Sequence, residues 1–183
     1  MWKMSGNPLA FALCLAWLAV PCVHGQSDPR NQNVRKMIGH AAIGFGGLAT
    51  DVKGGGSATF SGGVDLGLGN RLGIQFEGGA LYAVAYQDAG YGFVSPSISI
   101  HPANWKDRRT DFFVIGGYTF LGNSYRSHNL VCLGGGFNYW RSETSRAGLR
   151  VEVRDHIGRA AKFLHDATGA IHLWQIRIGV AIR

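Results

Sequence analysis

The C-terminal stretch, residues 148–183, alternates apolar and polar side chains with a period of two. Its first part sets Leu149, Val151 and Val153 against Arg150, Glu152 and Arg154, and its second part sets Trp174, Ile176, Ile178, Val180 and Ile182 against Gln175, Arg177, Gly179 and Ala181. Period two is the side-chain repeat of a β-strand, whose successive residues face opposite sides. Each strand therefore has one apolar face and one face of charged or small residues. A barrel embedded in lipid gives both faces the surroundings that they need.

The N-terminal residues 1–25 have the pattern of a secretory signal peptide. Lys3 gives a positive start, an apolar segment covers 9–20, and Val23 and Gly25 fit a small-residue cleavage site. The apolar segment is too short for a transmembrane helix. We therefore predict a signal peptide over 1–25, a periplasmic lead-in over 26–37 and one barrel domain over 38–183.

Eight segments of the chain have the alternation expected of strands. Six of them lie at about 38–48, 58–68, 72–84, 92–101, 110–120 and 129–140, and the last two flank 156–169. About ten residues are enough for a tilted strand to cross a bilayer. Glycine, which is 28 of the 183 residues, recurs inside these segments, as it does where small barrels coil sharply. The sequence thus predicts an all-β fold, an eight-stranded antiparallel up-and-down transmembrane β-barrel.

An even number of strands brings both termini to one side, which we predict to be periplasmic. The connections after even-numbered strands are then periplasmic turns, and those after odd-numbered strands are outward loops, predicted at 49–57, 85–91, 121–128 and 156–169. The last of these is predicted to hold a helical turn around 160–165. Aromatic residues fall near both ends of the apolar face, as in the girdles of membrane barrels. They are Phe60, Tyr82, Phe120 and Trp174 toward the outside and Phe112 and Tyr139 toward the periplasm.

Four stretches resemble small outer-membrane β-barrels of the OmpA/OmpX type, and most closely the "outer membrane protein beta-barrel domain" family. They are 113–118 (FVIGGY), 134–140 (GGGFNYW), 148–156 (GLRVEVRDH) and 174–183 (WQIRIGVAIR). The resemblance covers the chain from about Ile38 and implies a barrel of the bacterial outer membrane. The partners that it implies are outer-membrane lipid and, during biogenesis, the barrel-assembly machinery. Many such barrels end in an aromatic residue, whereas this chain ends in Ile182 and Arg183.

Charged residues on the polar faces of the predicted strands form the first candidate site. They are Asp65, Glu77, Arg150, Glu152, Arg154 and Arg177. The lumen of an eight-stranded barrel has room for side chains but not for a wide channel. Buried charges must be paired, since an isolated ion is costly in a medium of low dielectric constant. We expect a salt-bridge network that plugs the lumen, and a gate that opens by exchange of ion-pair partners is the alternative.

Basic residues in the predicted outward loops form the second candidate site. They are Arg126, His128, Arg159, Lys162 and His165. Clustered cations bind phosphates through charge-assisted hydrogen bonds, which makes lipopolysaccharide a candidate partner. An ordinary solvated loop surface explains the same residues equally well. The formal net charge of +7 also favours anionic surfaces, but the chain has no nucleic-acid module, so we expect no nucleic-acid partner.

Catalytic and metal sites are not predicted. Ser127 and His128 are adjacent, and adjacent residues in a strand face apart, which is poor geometry for a nucleophile and its base. The histidines are scattered, so no metal or cofactor is expected. Cys14 and Cys22 lie in the predicted signal peptide, which leaves Cys132 without an internal disulfide partner. We therefore predict a non-enzymatic barrel with a structural, adhesive or minor transport role.

Two alternatives to this function remain open at the level of sequence. The first is a secreted soluble eight-stranded barrel that binds an apolar ligand, and the second is a lipid A-modifying outer-membrane enzyme. Alternation alone does not say which face of a strand is outside. Aromatic residues at both strand ends suit a membrane interface better than a ligand cavity.

Overall fold

The computed structural model describes residues 37–51, 54–68, 71–83, 89–102, 109–124, 127–159 and 169–183. The strands are β1 (Met37–Ala49), β2 (Gly54–Gly67), β3 (Leu72–Ala83), β4 (Ala89–Ile100), β5 (Thr110–Gly122), β6 (Ser127–Tyr139), β7 (Ala147–Arg159) and β8 (Ala170–Ile182). Each pairs antiparallel with the next, and β1 pairs with β8 to close the barrel. The predicted eight-stranded antiparallel barrel is confirmed. The predicted signal peptide, and the lead-in up to residue 36, lie outside the described residues.

The two ends of the barrel differ in what they carry. The terminus end carries Met37, Ile182 and the connections after β2, β4 and β6. The loop end carries the connections after β1, β3, β5 and β7. In the described part of the chain no helix is both long and apolar enough to cross a membrane.

The strands reach farther toward the loop end than predicted. Strands extend into all four predicted loops. β2 begins at Gly54, inside the predicted loop 49–57, and β4 begins at Ala89, inside 85–91. β5 ends at Gly122 and β6 begins at Ser127, both inside 121–128, and β7 ends at Arg159, inside 156–169. Glycine-rich composition predicted a loop after β1, yet the ladder continues to the pair Ala49 and Gly54. A glycine backbone can donate and accept ladder hydrogen bonds, so composition alone does not end a strand. The predicted helical turn around 160–165 lies outside the described residues.

The outer wall of the barrel is apolar. Large hydrophobic side chains on this wall include Ile43, Phe76, Val114, Leu133, Val153 and Ile178, each about half exposed. The predicted girdle residues Phe60, Tyr82, Phe120 and Trp174, and Phe112 and Tyr139, are also exposed. Many of the inward positions that alternate with them, above all in the middle of the barrel, bury charged and polar groups instead. An apolar exterior around a charged interior is the reverse of a water-soluble protein, and it suits surroundings of lipid.

Pro96 lies inside β4 although proline cannot donate a ladder hydrogen bond. The register pairs Val94 with Phe120 and Ser97 with Gly117, which sets Pro96 opposite Tyr118. The neighbouring hydroxyl replaces the missing donor, because Ser95 Oγ donates to the carbonyl oxygen of Tyr118 over 3.1 Å. The strand therefore crosses the proline with this acceptor satisfied.

Gly179 shows how closely the strands approach one another inside the barrel. A Cβ atom at this position would overlap the carbonyl oxygen of Ala41 and lie 2.6 Å from the Cα of Ala42, both in β1. The obstacle is backbone of the neighbouring strand and cannot rotate away. Even a serine at 179 would therefore push β1 and β8 apart, at the seam that closes the barrel.

The interior is filled in layers. An apolar layer lies at the loop end, charged and polar side chains fill the middle, and a smaller apolar plug of Ile38, Trp140 and Ala181 lies at the terminus end. The C-terminal Arg183 holds this plug, because its guanidinium lies 4.3 Å from the centre of the Trp140 ring. The same side chain donates to the carbonyl oxygens of Ser142, Glu143 and Ser145.

Candidate functional site: the charged interior

Three neighbouring inward positions of β7 supply the centre of the charged interior. Arg150, Glu152 and Arg154 alternate with the lipid-facing side chains of the same strand, so the strand period points all three into the lumen. Arg177 stands opposite Glu152 in the register of β7 and β8, and Glu77 reaches in from β3. Each of these five residues is at most 3% exposed.

Glu152 forms ion pairs with all three arginines. Nη2 of Arg150 lies 2.8 Å from Oε2 of Glu152, and Nη1 of Arg177 lies 2.7 Å from Oε1. Nε of Arg154 contacts the same Oε1 atom. A buried carboxylate with this many charged donors is well compensated for the loss of water.

Glu77 completes the network from the opposite wall of the barrel. It accepts a hydrogen bond from Nη2 of Arg154 over 2.8 Å, and its Oε1 atom lies 2.8 Å from Nη2 of Arg177. Its Oε2 atom also lies 3.0 Å from Nε2 of His40 in β1. Arg154 and Arg177 thus each bridge both glutamates. The ion pairs join β3, β7 and β8 across the lumen and are not confined to adjacent strands.

Asp65, the sixth predicted member, lies inside the barrel but in a second cluster. Its Oδ1 atom accepts from Ser99 Oγ over 2.9 Å, and its Oδ2 atom lies 3.5 Å from Nε2 of His101. Nδ1 of His101 lies 2.8 Å from Oδ1 of Asp111. Sequence reasoning missed His101 and Asp111, although Asp111 shares the inward parity of β5 and His101 follows the inward serines of β4. These positions in the sequence could have identified both residues as members of the charged interior.

The two clusters are joined through one amide, and together they balance in charge. Nη1 of Arg150 donates to Oδ1 of Asn138, and Nδ2 of Asn138 donates to Oδ2 of Asp111, each over 3.2 Å. The cations are Arg150, Arg154, Arg177 and a protonated His101, and the anions are Asp65, Glu77, Asp111 and Glu152. Four charges of each sign sum to zero only when His101 is protonated.

His101 follows the last residue of β4 at the terminus end, and its surroundings favour the charged form. Burial alone would lower the pKa of its imidazole, but hydrogen bonds to Asp111 and Asp65 outweigh burial and raise the pKa from 6.5 to about 9. Its contribution to stability is therefore fully present below about pH 6.5. This contribution is lost as the pH rises through about 9.

We expect the free energy of unfolding to fall between pH 7 and pH 10 in the wild-type protein. The His101→Gln variant should lack the part of this fall that comes from the imidazole, because glutamine does not titrate. Urea unfolding of both proteins in detergent, repeated across this range, measures the difference. Parallel pH curves for the two proteins would contradict the charged state assigned to His101.

Ser99, His101 and Asp111 have the spacing of a catalytic triad, but Asp65 is an additional partner of both the serine and the histidine. Ser99 Oγ lies 3.3 Å from Nε2 of His101, whose Nδ1 faces Asp111. Asp65 faces the same Nε2 atom of His101. It also accepts the hydrogen bond that the Ser99 hydroxyl donates, so this hydroxyl does not donate to the imidazole. An imidazole that is already protonated cannot act as the general base for this hydroxyl.

β5 carries apolar residues on both of its faces, and one of the inward ones, Phe113, contacts an arginine of the charged interior. Phe113 and Ile115 face inward and pack in one cluster with Cys132. The guanidinium carbon of Arg150 lies 4.1 Å from the centre of the Phe113 ring. The guanidinium of Arg150 thus lies over the face of the Phe113 ring, which is a favourable cation–π position.

The predicted basic site at the loops does not assemble in the described residues. His128 was predicted in an outward loop, and this placement is wrong, because His128 belongs to β6 and is only 4% exposed. Its inward parity buries it beside Tyr91, with ring centres 6.1 Å apart. Arg159 is exposed at the end of β7. Arg126, Lys162 and His165 lie outside the described residues.

The carboxylates of the charged interior face cationic partners within the barrel. In the described ranges no group of three or more His, Cys, Asp or Glu side chains could bind a metal ion. The carboxylates of Glu77 and Glu152 are each taken up by arginine donors. What this arrangement can do is fill and brace the lumen.

Comparison with solved structures places this architecture among known folds. This chain has the fold of a small outer-membrane β-barrel. It is similar to the N-terminal β-barrel domain of OprF from Pseudomonas aeruginosa, with 14% identity, 80% of this chain and 96% of that chain covered, and a TM-score of 0.54. Neisserial surface protein A has 10% identity, coverage of 80% and 96%, and a TM-score of 0.55.

A third neighbour is OprG from Pseudomonas aeruginosa, with 9% identity, 80% of this chain and 93% of that chain covered, and a TM-score of 0.50. No protein-family model and no curated protein matches the sequence. The resemblance to OmpA/OmpX-type barrels drawn from the motifs agrees with these neighbours. At such low identities the likeness concerns the fold.

Proposed function

We propose that the protein is a non-enzymatic barrel of the bacterial outer membrane whose closed lumen makes it a structural element and not a pore. The observation that carries this proposal is the inverted distribution of polarity. Half-exposed aliphatic and aromatic side chains cover the outer wall, while arginines and glutamates that are at most 3% exposed fill the middle. Outer-membrane lipid is the partner that such a wall requires.

The filled interior separates a structural role from a transport role. Arg154 and Arg177 each bridge Glu77 and Glu152, so the side chains of the network brace opposite walls of the barrel. An eight-stranded barrel leaves an interior only wide enough for side chains. Ion flow would require these pairs to separate, and each separation would leave a buried charge without its partner.

The mature chain, reconstituted in planar bilayers, should therefore insert without giving stepwise currents. Refolded samples that migrate as folded barrel are the material to test, with a known porin as the positive control for insertion. Sustained discrete openings from the purified protein would instead favour the minor transport role and a gate built from partner exchange.

Two further partners belong to the proposal. The barrel-assembly machinery would insert the protein, as it does for other barrels of this membrane.

Lipopolysaccharide would contact the loop end, where Arg159 is exposed at the end of β7 and Lys162 follows in the sequence. Binding of lipopolysaccharide to the folded barrel should weaken with salt, since exposed charges are screened over about 10 Å at 0.1 M. Unchanged affinity after Arg159→Ala and Lys162→Ala together would remove this partner.

A further inference from the structure

The loop end of the lumen is closed by an apolar layer. Its members are seven inward-facing side chains from six strands, each at most 7% exposed: Leu48, Leu81, Phe93, Leu121, Leu130, Ile171 and Leu173. Tyr91, which is partly buried, packs against them. The interior of a membrane barrel is ordinarily polar. This layer is therefore an unexpected feature of the end that faces away from the termini.

A small cavity lies directly beneath the layer. Its roof is apolar, with Leu81, Phe93, Leu121, Leu130 and Leu173, and its other lining residues are Thr59, Thr119, His156 and Gln175. Its volume is about 10 Å³, which is roughly the space for the centre of one water molecule. Nε2 of Gln175 is buried and has no hydrogen-bond partner among the described residues. A single water in the cavity would satisfy this donor.

The two layers of the lumen differ in how they resist water. Hydrogen bonds and ion pairs of the arginine–glutamate network can exchange with water molecules, because every group in it is polar. A narrow passage lined by aliphatic and aromatic side chains offers water no partner and empties spontaneously. Neutralising a charge should thus weaken the barrel, whereas making the apolar layer polar should let water through.

We propose that the loop-end apolar layer is a hydrophobic gate, which shuts ions and water of the surrounding medium out of a one-water site and the charge network below it. This goes beyond the proposed function, in which the charge network closes the middle of the lumen, because it assigns the closure of the loop end to a separate apolar layer. The gate, not the network, sets access from the loop end.

Cys132 provides a reporter inside the chain. It lies one inward position below Leu130 in β6 and is 0% exposed. The cysteines at 14 and 22 lie in the predicted signal peptide, so the mature protein carries this thiol alone. The probe is a positively charged, water-soluble methanethiosulfonate. A thiolate that this reagent reaches attacks its sulfenyl sulfur, which forms a mixed disulfide and releases methanesulfinate. The protein is the mature chain folded in detergent, and Cys132→Ala gives the background.

We expect Cys132 to be modified at least about tenfold faster in Leu130→Ser and in Leu121→Ser than in the wild-type barrel, because a polar group in the layer lets water enter. Leu173→Ala is a milder third variant that tests the same layer if a serine variant fails to fold. Circular dichroism and gel migration without heating check folding. Val131→Ser, on the lipid face of the same strand, should leave the rate unchanged.

Two further variants test whether the charge network or the terminus-end plug is the barrier instead of the apolar layer. Glu152→Gln should leave the modification rate near the wild-type value, although it disturbs the network. Trp140→Ala, which opens the plug at the terminus end, should also leave it low, since the network lies between that plug and Cys132. A fast reaction in either variant, with slow reaction in the folded variants of the apolar layer, would overturn the proposal and place the barrier elsewhere.

Discussion

Replacing Glu152 with glutamine should destabilise the folded barrel by about 3–5 kcal/mol, the range for removing one partner of a buried ion pair. Glutamine keeps the shape of the side chain but removes the charge that faces Arg150, Arg154 and Arg177. Glu77 alone cannot compensate three guanidinium groups. The free energy of unfolding, measured by urea titration in lipid vesicles, gives the size of the loss.

Glu143→Gln is the matched control, because the same chemical change is made on an exposed side chain in the turn after β6. It should alter the free energy of unfolding by less than about 0.5 kcal/mol. The double variant Glu152→Gln with Arg150→Gln should recover part of the loss, since it removes one unpaired cation. Equal stability of Glu152→Gln and wild type would remove the charge network from the account.

An arginine in place of Ile178 should impair folding into bilayers by about 2–4 kcal/mol if the site lies near the bilayer midplane. Ile178 is 54% exposed and lies on the outward face of β8 among other aliphatic residues. In lipid this exposed face contacts acyl chains, and a guanidinium there loses its water. The fraction folded after dilution from urea into vesicles measures the effect.

Ile178→Leu keeps the surface apolar and is the control at the same site. It should fold like wild type, because a lipid-facing side chain is not confined by tight packing. Serine at the neighbouring Gly179 is not a suitable control, since its Cβ atom would overlap β1. If Ile178→Arg and Ile178→Leu insert equally well, the assignment of this face to lipid is wrong.

Alternation along the chain, together with the aromatic residues at both strand ends, was enough to predict the fold and the inward side of each strand. Phe60, Asp65 and Ile178 all lie on the side that period two assigns to them. Strand ends were less predictable, because the glycines of β2 continue a ladder that their composition does not reveal. The predicted placement of His128 was wrong because β6 begins two residues earlier than expected. His128 therefore occupies an inward strand position and not a loop position.

The pairing inside the site depended on geometry that a single strand does not contain. Glu77 meets Arg154 across the lumen, 77 positions apart in sequence, and strand parity says only that both face inward. Asp65 faces inward as predicted, but its pairing with His101 depends on depth along the barrel axis. Depth follows from the register of all eight strands, and Asp111 and His101 were missed because that register was unknown.

The central claim, that lipid surrounds the outer wall, is tested most directly by sedimentation of the refolded mature chain with and without detergent. The account predicts a folded monomer in detergent and aggregation on its removal, because the exposed aliphatic and aromatic side chains then have no apolar surroundings. A monodisperse folded monomer in buffer alone would contradict it and would favour the soluble barrel that binds an apolar ligand.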